Sequence, residues 1–152
     1  MENISIMNHY MEMALELAKE AFAEEEVPVG CVIVLEDKII GRGYNRRNGA
    51  KNALHHAEML AIGEACEYMG DWRLEGCTLY VTVEPCAMCA GAAVNARIPN
   101  VVYGCANPKA GCAGSILDVL NEPRFNHRCT VASGIMEEEC ARLMSGFFVR
   151  KR

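Results

Sequence analysis

Leu79-Tyr80-Val81-Thr82-Val83-Glu84-Pro85-Cys86-Ala87-Met88-Cys89-Ala90-Gly91-Ala92-Ala93-Val94-Asn95 is the stretch whose reading decides the fold. Leu79 to Val83 is rich in β-branched and aromatic residues and reads as a strand. The chain then passes Pro85, a residue suited to a helix start, and enters a helical run over Ala90 to Asn95. A strand that feeds a helix directly points to α/β layering. Cys86 and Cys89, three residues apart at the head of that run, share a face and can chelate one ion. They also lie near the positive end of the helix dipole, which favours thiolate over thiol by about 0.3–1 kcal/mol.

The same alternation extends on both sides. Upstream, His56-Ala57-Glu58 opens an apolar periodic stretch, Met59, Ile62, Ala65, Cys66 and Met69, which predicts a helix with His56 and Glu58 in its first turn. Val29 to Leu35, the polar turn Glu36-Asp37-Lys38 and Ile39 to Tyr44 predict a hairpin. Met7, Met11, Ala14, Leu15, Ala18 and Phe22 form a helical stripe within Ile6 to Glu25. Downstream, Val101 to Tyr103 reads as a strand. A Gly- and Pro-bearing stretch from Gly104 to Gly114 follows, then a short helix over Ile116 to Leu120, a last strand at Thr130 to Ala132 and a closing helix from Glu137 to Arg150. The expectation is a single domain over residues 1–152, an α/β layered fold with a mixed sheet.

His56, Cys86 and Cys89 are three ligands of the kind zinc takes in tetrahedral sites, and a catalytic zinc leaves its fourth corner to water. Glu58 is then free to move protons. Zinc lowers the pKa of a bound water from about 15.7 to about 7. A carboxylate beside it can take that proton and return it to a leaving group, serving as base and then as acid. Two other readings stand beside this one. A C-x-x-C pair can be a redox centre, but that leaves His56 and Glu58 idle. A closed structural site would draw a fourth ligand from Cys66, Cys77, Cys105 or Cys112, and would have no use for a carboxylate two residues from the histidine.

Composition narrows the class. No apolar run approaches the roughly 20 residues that span a bilayer, so no membrane segment is expected. No basic-then-apolar leader follows Met1, and the nine cysteines are an odd count with metal-type spacing, which predicts a reducing, cytoplasmic setting without a disulfide framework. The seven outside the pair, Cys31, Cys66, Cys77, Cys105, Cys112, Cys129 and Cys140, read mostly as small buried hydrophobes. A net charge of −5 argues by itself against a nucleic-acid partner. Yet base gathers at Arg46-Arg47 with Lys51, at Arg124 with His127-Arg128, and at Arg150-Lys151-Arg152. These clusters fit a basic face or ordinary solvated charge equally well. Asn45, at the end of the second strand, is either a turn former beside Gly43 or an amide that reads a base edge.

His-x-Glu followed by Pro-Cys-x-x-Cys is the signature of zinc deaminases. Beyond it, Tyr44-Asn45-Arg46, Pro85 to Ala92, Gly111 to Ser115, Leu117-Asp118-Val119-Leu120, Asn126-His127-Arg128 and Phe147-Phe148 resemble the bacterial tRNA-specific adenosine deaminases, and the likeness covers nearly the whole chain. The resemblance implies a three-layer α/β/α, cytidine deaminase-like fold and a homodimer with one Zn2+ per subunit. The implied reaction is hydrolysis of adenosine to inosine at the wobble position (34) of a tRNA anticodon arm. It makes His56, Cys86 and Cys89 the ligands, Glu58 the proton shuttle and Asn45 a base contact. Val29, Val83 and Glu84 would line the pocket, with Lys109 and the basic tail near the anticodon loop, the tail serving its own site or the partner's. Small residues at Ala90-Gly91-Ala92-Ala93 suit either a dimer contact or tight packing within the chain. The chain departs from this pattern at Cys105, Ala106 and Asn107. Asn107 stands where relatives often carry an acid, which implies looser discrimination between RNA and DNA. A deaminase of guanine, cytosine or a free nucleoside would share the metal site, and the basic tail and Asn126-His127-Arg128 speak against it. A zinc-stabilised RNA-binding protein without catalysis would leave Glu58 unexplained.

Overall fold

A computed structural model describes residues 3–151. Ten elements follow one another: α1 (Ile4–Ala23), β1 (Gly30–Leu35), β2 (Lys38–Tyr44), α2 (Arg47–Ala50), α3 (Ala57–Met69), β3 (Thr78–Val83), α4 (Ala87–Asn95), β4 (Asn100–Cys105), β5 (Thr130–Ala132) and α5 (Glu137–Arg150). The strands make one sheet in the order β2-β1-β3-β4-β5. It is mixed as expected: β1 runs antiparallel to β2 and β3, whereas β4 runs parallel to β3 and β5 to β4. Leu35 pairs with Lys38 across Glu36 and Asp37, whose φ angles of 48° and 63° suit a two-residue turn matched to the strand twist.

Strand alternation sends side chains into two cores. Cys31, Ile33, Leu79, Val81 and Val101 pack with α3 and α4 on one face. Val32, Val34, Tyr80 and Val102 pack with α1 and α5 on the other. Both faces are covered, which makes three layers. β3 is buried along its whole length, as a central strand beneath helices on both sides must be. The α1 stripe buries Met7, Met11, Ala14, Leu15 and Ala18, while Phe22 sits half-buried edge-on to Phe147, 5.7 Å between ring centres, and ties α1 to α5.

Two features of this frame position the site. β3 and β4 end level with each other, Val83 paired with Cys105, and α4 starts from that end of the sheet. α3 lies unusually close to β2 because Gly43 carries no side chain: a Cβ there would run into the Ala57 carbonyl. The first turn of α3 is thereby pressed against the sheet.

The helix expected over Ile116 to Leu120 does not form. The segment is a loop with one isolated bridge, Ala113 to Asp118, and Ile116 and Leu117 are exposed. The amides of Ala113 and Ser115 donate sideways to the Glu84 carboxylate, so the backbone is drawn out of helical register. The short helix α2 was not anticipated. All nine cysteines are free. Of the seven outside the pair, six are buried and Cys66 is half-buried, and burial pushes the Cys77, Cys105 and Cys129 thiols up to about 11 and that of Cys140 to about 12. No helix among the described residues is long and apolar enough to cross a membrane.

Candidate active site

Two helix starts converge on the end of β3. His56 is the N-cap of α3 and Cys86 the N-cap of α4, both with extended backbone, and Cys89 follows one turn into α4. Neither cap uses its side chain to hold its own helix. The side chains are left to meet each other. His56 Nδ1 stands 3.6 Å from Cys86 Sγ and 3.6 Å from Cys89 Sγ. Bonds of about 2.3 Å to sulfur and about 2.0–2.1 Å to nitrogen at a tetrahedral angle require a separation of roughly 3.5 Å, so the donors fit a zinc ion. Among the described residues they are the one metal-competent cluster of three. Cys66, Cys77, Cys105 and Cys112 are not part of it, so none of them closes the site with a fourth sulfur.

The electrostatics are those of a site prepared for a cation. The Cys89 thiol donates to Cys86, which holds the Cys86 thiol down to about 3, while Cys89 keeps its proton well above the usual range. The pair therefore carries one thiolate. His56 is shifted upward, chiefly by its hydrogen bond to Cys86. Glu58, in the first turn of α3, is 4% exposed, and burial pushes its carboxyl up to about 7.

Beside these ligands lies a 130 Å³ cavity walled by Val29, Asn45, Glu58, Val83 and Glu84, with Arg47, Asn107 and Met144 at its edge. Asn45 is 7% exposed and lines this cavity. Glu84 lines the cavity, and its carboxylate is taken up by the 107–115 loop. It accepts from the amides of Asn107 (3.0 Å), Ala113 (2.9 Å) and Ser115 (3.0 Å) and from the Ser115 hydroxyl (2.5 Å). Burial pushes this carboxyl up, but the four donors outweigh it and hold it below the usual range.

Lys109 is outside the cavity. It lies in a 950 Å³ groove with Ala106, Phe148 and Lys151, and this groove shares Val27, Val83, Asn107 and Met144 with the cavity wall. Lys151 thus lines the groove of its own chain; Arg152 lies outside the described residues. Asn126-His127-Arg128 is elsewhere. His127 Nε2 donates to the Ile98 carbonyl (2.8 Å) and Arg128 to Asn121 (2.8 Å), near the opposite end of the parallel strands, where Asn100 pairs with Thr130. The His127 and Arg128 side chains hold the chain's own loops, away from the metal end. Val27, Arg47 and Met144 were not assigned to the site by sequence reasoning: Val27 and Met144 are apolar residues without a chemical signature, and Arg47 stood out only as one of a basic cluster.

Comparison with known proteins follows the same lines. The sequence pattern of MafB19-like deaminases matches residues 7–152. The chain is similar to the tRNA-specific adenosine deaminase of Bacillus subtilis, 51% identical over 91% of this chain and 86% of the relative. It is 46% identical to that of Streptococcus pyogenes serotype M18, over 95% and 91%. A solved structure from biochemical and structural studies of A-to-I editing by tRNA:A34 deaminases superposes with a TM-score of 0.85 at 42% identity, covering 89% of this chain and 98% of that one.

Proposed function

The chain belongs to the MafB19-like deaminases, among the tRNA-specific adenosine deaminases, and from that membership we propose that it deaminates the wobble adenosine (34) of a tRNA anticodon to inosine. The observation that carries the reading is the placement of a buried carboxylate outside the ligand set, Glu58, beside a nitrogen that stands 3.6 Å from each of two sulfurs.

His56, Cys86 and Cys89 would hold one zinc per subunit. When bound, zinc supplies an acidified water beside the base. Glu58 takes the proton of the attacking water and delivers it to the departing amino group, so that ammonia rather than amide leaves C6. Its burial keeps water from competing for that proton. Asn45 presents both a donor and an acceptor to the base edge. Val29 and Val83 supply apolar walls for the ring. A cavity of 130 Å³ takes one flipped base, while sugar and phosphates remain in the wider groove with Lys109 and Lys151. An anticodon loop is a suitable donor of that base because its bases are already partly unstacked, which lowers a flipping penalty of a few kcal/mol.

A homodimer is part of the proposal. Ala90 and Ala93 pack inward, whereas Gly91 and Ala92 are half-buried on the other side of α4, with open space where a Gly91 Cβ would lie. Sedimentation should give twice the chain mass, and a fully active monomer would remove the dimer. Incubating the protein with an adenosine-34 anticodon stem-loop, guanine and cytidine, and following ammonia and inosine, tests the reaction. Inosine from the stem-loop is expected; ammonia from guanine or cytidine alone would assign a small-molecule deaminase instead.

A further inference from the structure

Residues 45–56, between β2 and α3, bring Asn45, Arg47 and His56 to the cavity wall. The segment is tied at both ends and in the middle. At its ends the Arg46 amide donates to the His55 carbonyl, 3.0 Å. In the middle the Glu26 carboxylate accepts from the amides of Asn48 (3.0 Å) and Gly49 (2.6 Å). Glu26 is 3% exposed, whereas its neighbours Glu24 and Glu25 are exposed. A buried carboxylate is tolerated only where donors meet it, and these two amides do so. The turn they fix has Arg46 over the Tyr44 ring, 5.9 Å from its centre. Arg47 differs. Its side chain is exposed at the cavity edge, and among the described residues its guanidinium has no carboxylate, carbonyl or ring partner.

We propose that Arg47 binds a backbone phosphate adjoining the base in the cavity, and that Glu26 is the positioning residue that holds the Arg47 turn at the cavity mouth. The inference rests on the reading of the substrate as RNA. A guanidinium left without a protein anion, on a turn fixed by a buried carboxylate, presents a preorganised fork to a phosphate. The acids that line the same cavity or hold the same turn do not compete, because Glu26 and Glu84 are taken up by backbone amides and Glu58 is buried.

The test measures KM and kcat on the adenosine-34 stem-loop, and the salt dependence of its binding by fluorescence anisotropy between about 50 and 200 mM salt. Binding is read in a Glu58→Ala background so that the RNA is not turned over. Arg47→Ala is expected to flatten the slope of log affinity against log salt by about 0.7, the value for one phosphate on a single strand. It should raise KM on the order of tenfold, with the loss falling on KM rather than kcat. Arg47→Lys should restore the slope but only part of the affinity. Glu26→Ala should reproduce the loss, and Glu26→Ala with Arg47→Ala should bind no more weakly than Arg47→Ala alone, because both remove one interaction. Glu26→Gln, which keeps an acceptor oxygen, should recover part of it, and carries the coupling test if Glu26→Ala loses its cooperative unfolding. An unchanged slope in Arg47→Ala, or additive losses in the double variant, overturns the proposal. A wild-type protein that neither binds nor deaminates the stem-loop would instead remove the RNA reading beneath it.

Discussion

Glu58 and Glu84 are both buried beside one cavity, at the start of α3 and the end of β3, and they are held in opposite states. Glu84 receives three amides and a hydroxyl, and its carboxyl stays below the usual range. Glu58 is met only by its own amide and the Cys89 thiol, and burial outweighs them and pushes its carboxyl up to about 7. On the proposed reaction, the difference separates the acid that holds a loop from the acid that moves a proton. A carboxylate met by many donors stays ionised and fixes a loop; one with fewer donors in a buried site is raised toward neutral pH, where it can exchange a proton.

Substitutions sharpen that contrast in order of effect. Glu58→Ala is expected to lower turnover by about 10²–10⁴-fold while leaving the fold and metal content unchanged, as steady-state kinetics with metal analysis would read. Near-normal turnover would erase the distinction between the two acids. Glu84→Ala should act on stability, by about 2–4 kcal/mol in denaturant unfolding, because it strands several inward-facing amides at once. Gly111→Ala attacks the same loop from the other side, since a Cβ there would strike the Glu84 carboxylate; a loss of about 1–3 kcal/mol is expected. Smallest is Asn107→Asp, which adds a charge where the loop meets the cavity and should improve rejection of a DNA hairpin by about two- to fivefold. Equal rejection by the unaltered protein and the Asn107→Asp variant would show that the side chain does not read the sugar.

Much of this was legible in the chain. The strand-to-helix passage at Leu79 to Asn95 revealed the layering, and the gathering of His56, Cys86 and Cys89 was readable because metal chemistry demands particular residue types at short spacings. What escaped was set by contacts between distant segments. Ile116 to Leu120 has helical apolar spacing, yet Glu84, about 30 positions earlier, claims the amides of Ala113 and Ser115 just before it. Asn126-His127-Arg128 has the composition of a nucleic-acid contact, but His127 is committed to the Ile98 carbonyl. Arg47 and Glu26 were invisible as a pair because 21 positions separate them and only the fold joins one to the other's turn.

The most direct test of the central claim is the metal content and X-ray absorption of the purified protein. One zinc per chain is expected, with two sulfur neighbours at about 2.3 Å and the remaining shell of lighter donors at about 2.0–2.1 Å, unchanged in Glu58→Gln. A third or fourth sulfur, or a shell that alters when Glu58 is replaced, would contradict an open site with an uncoordinated acid.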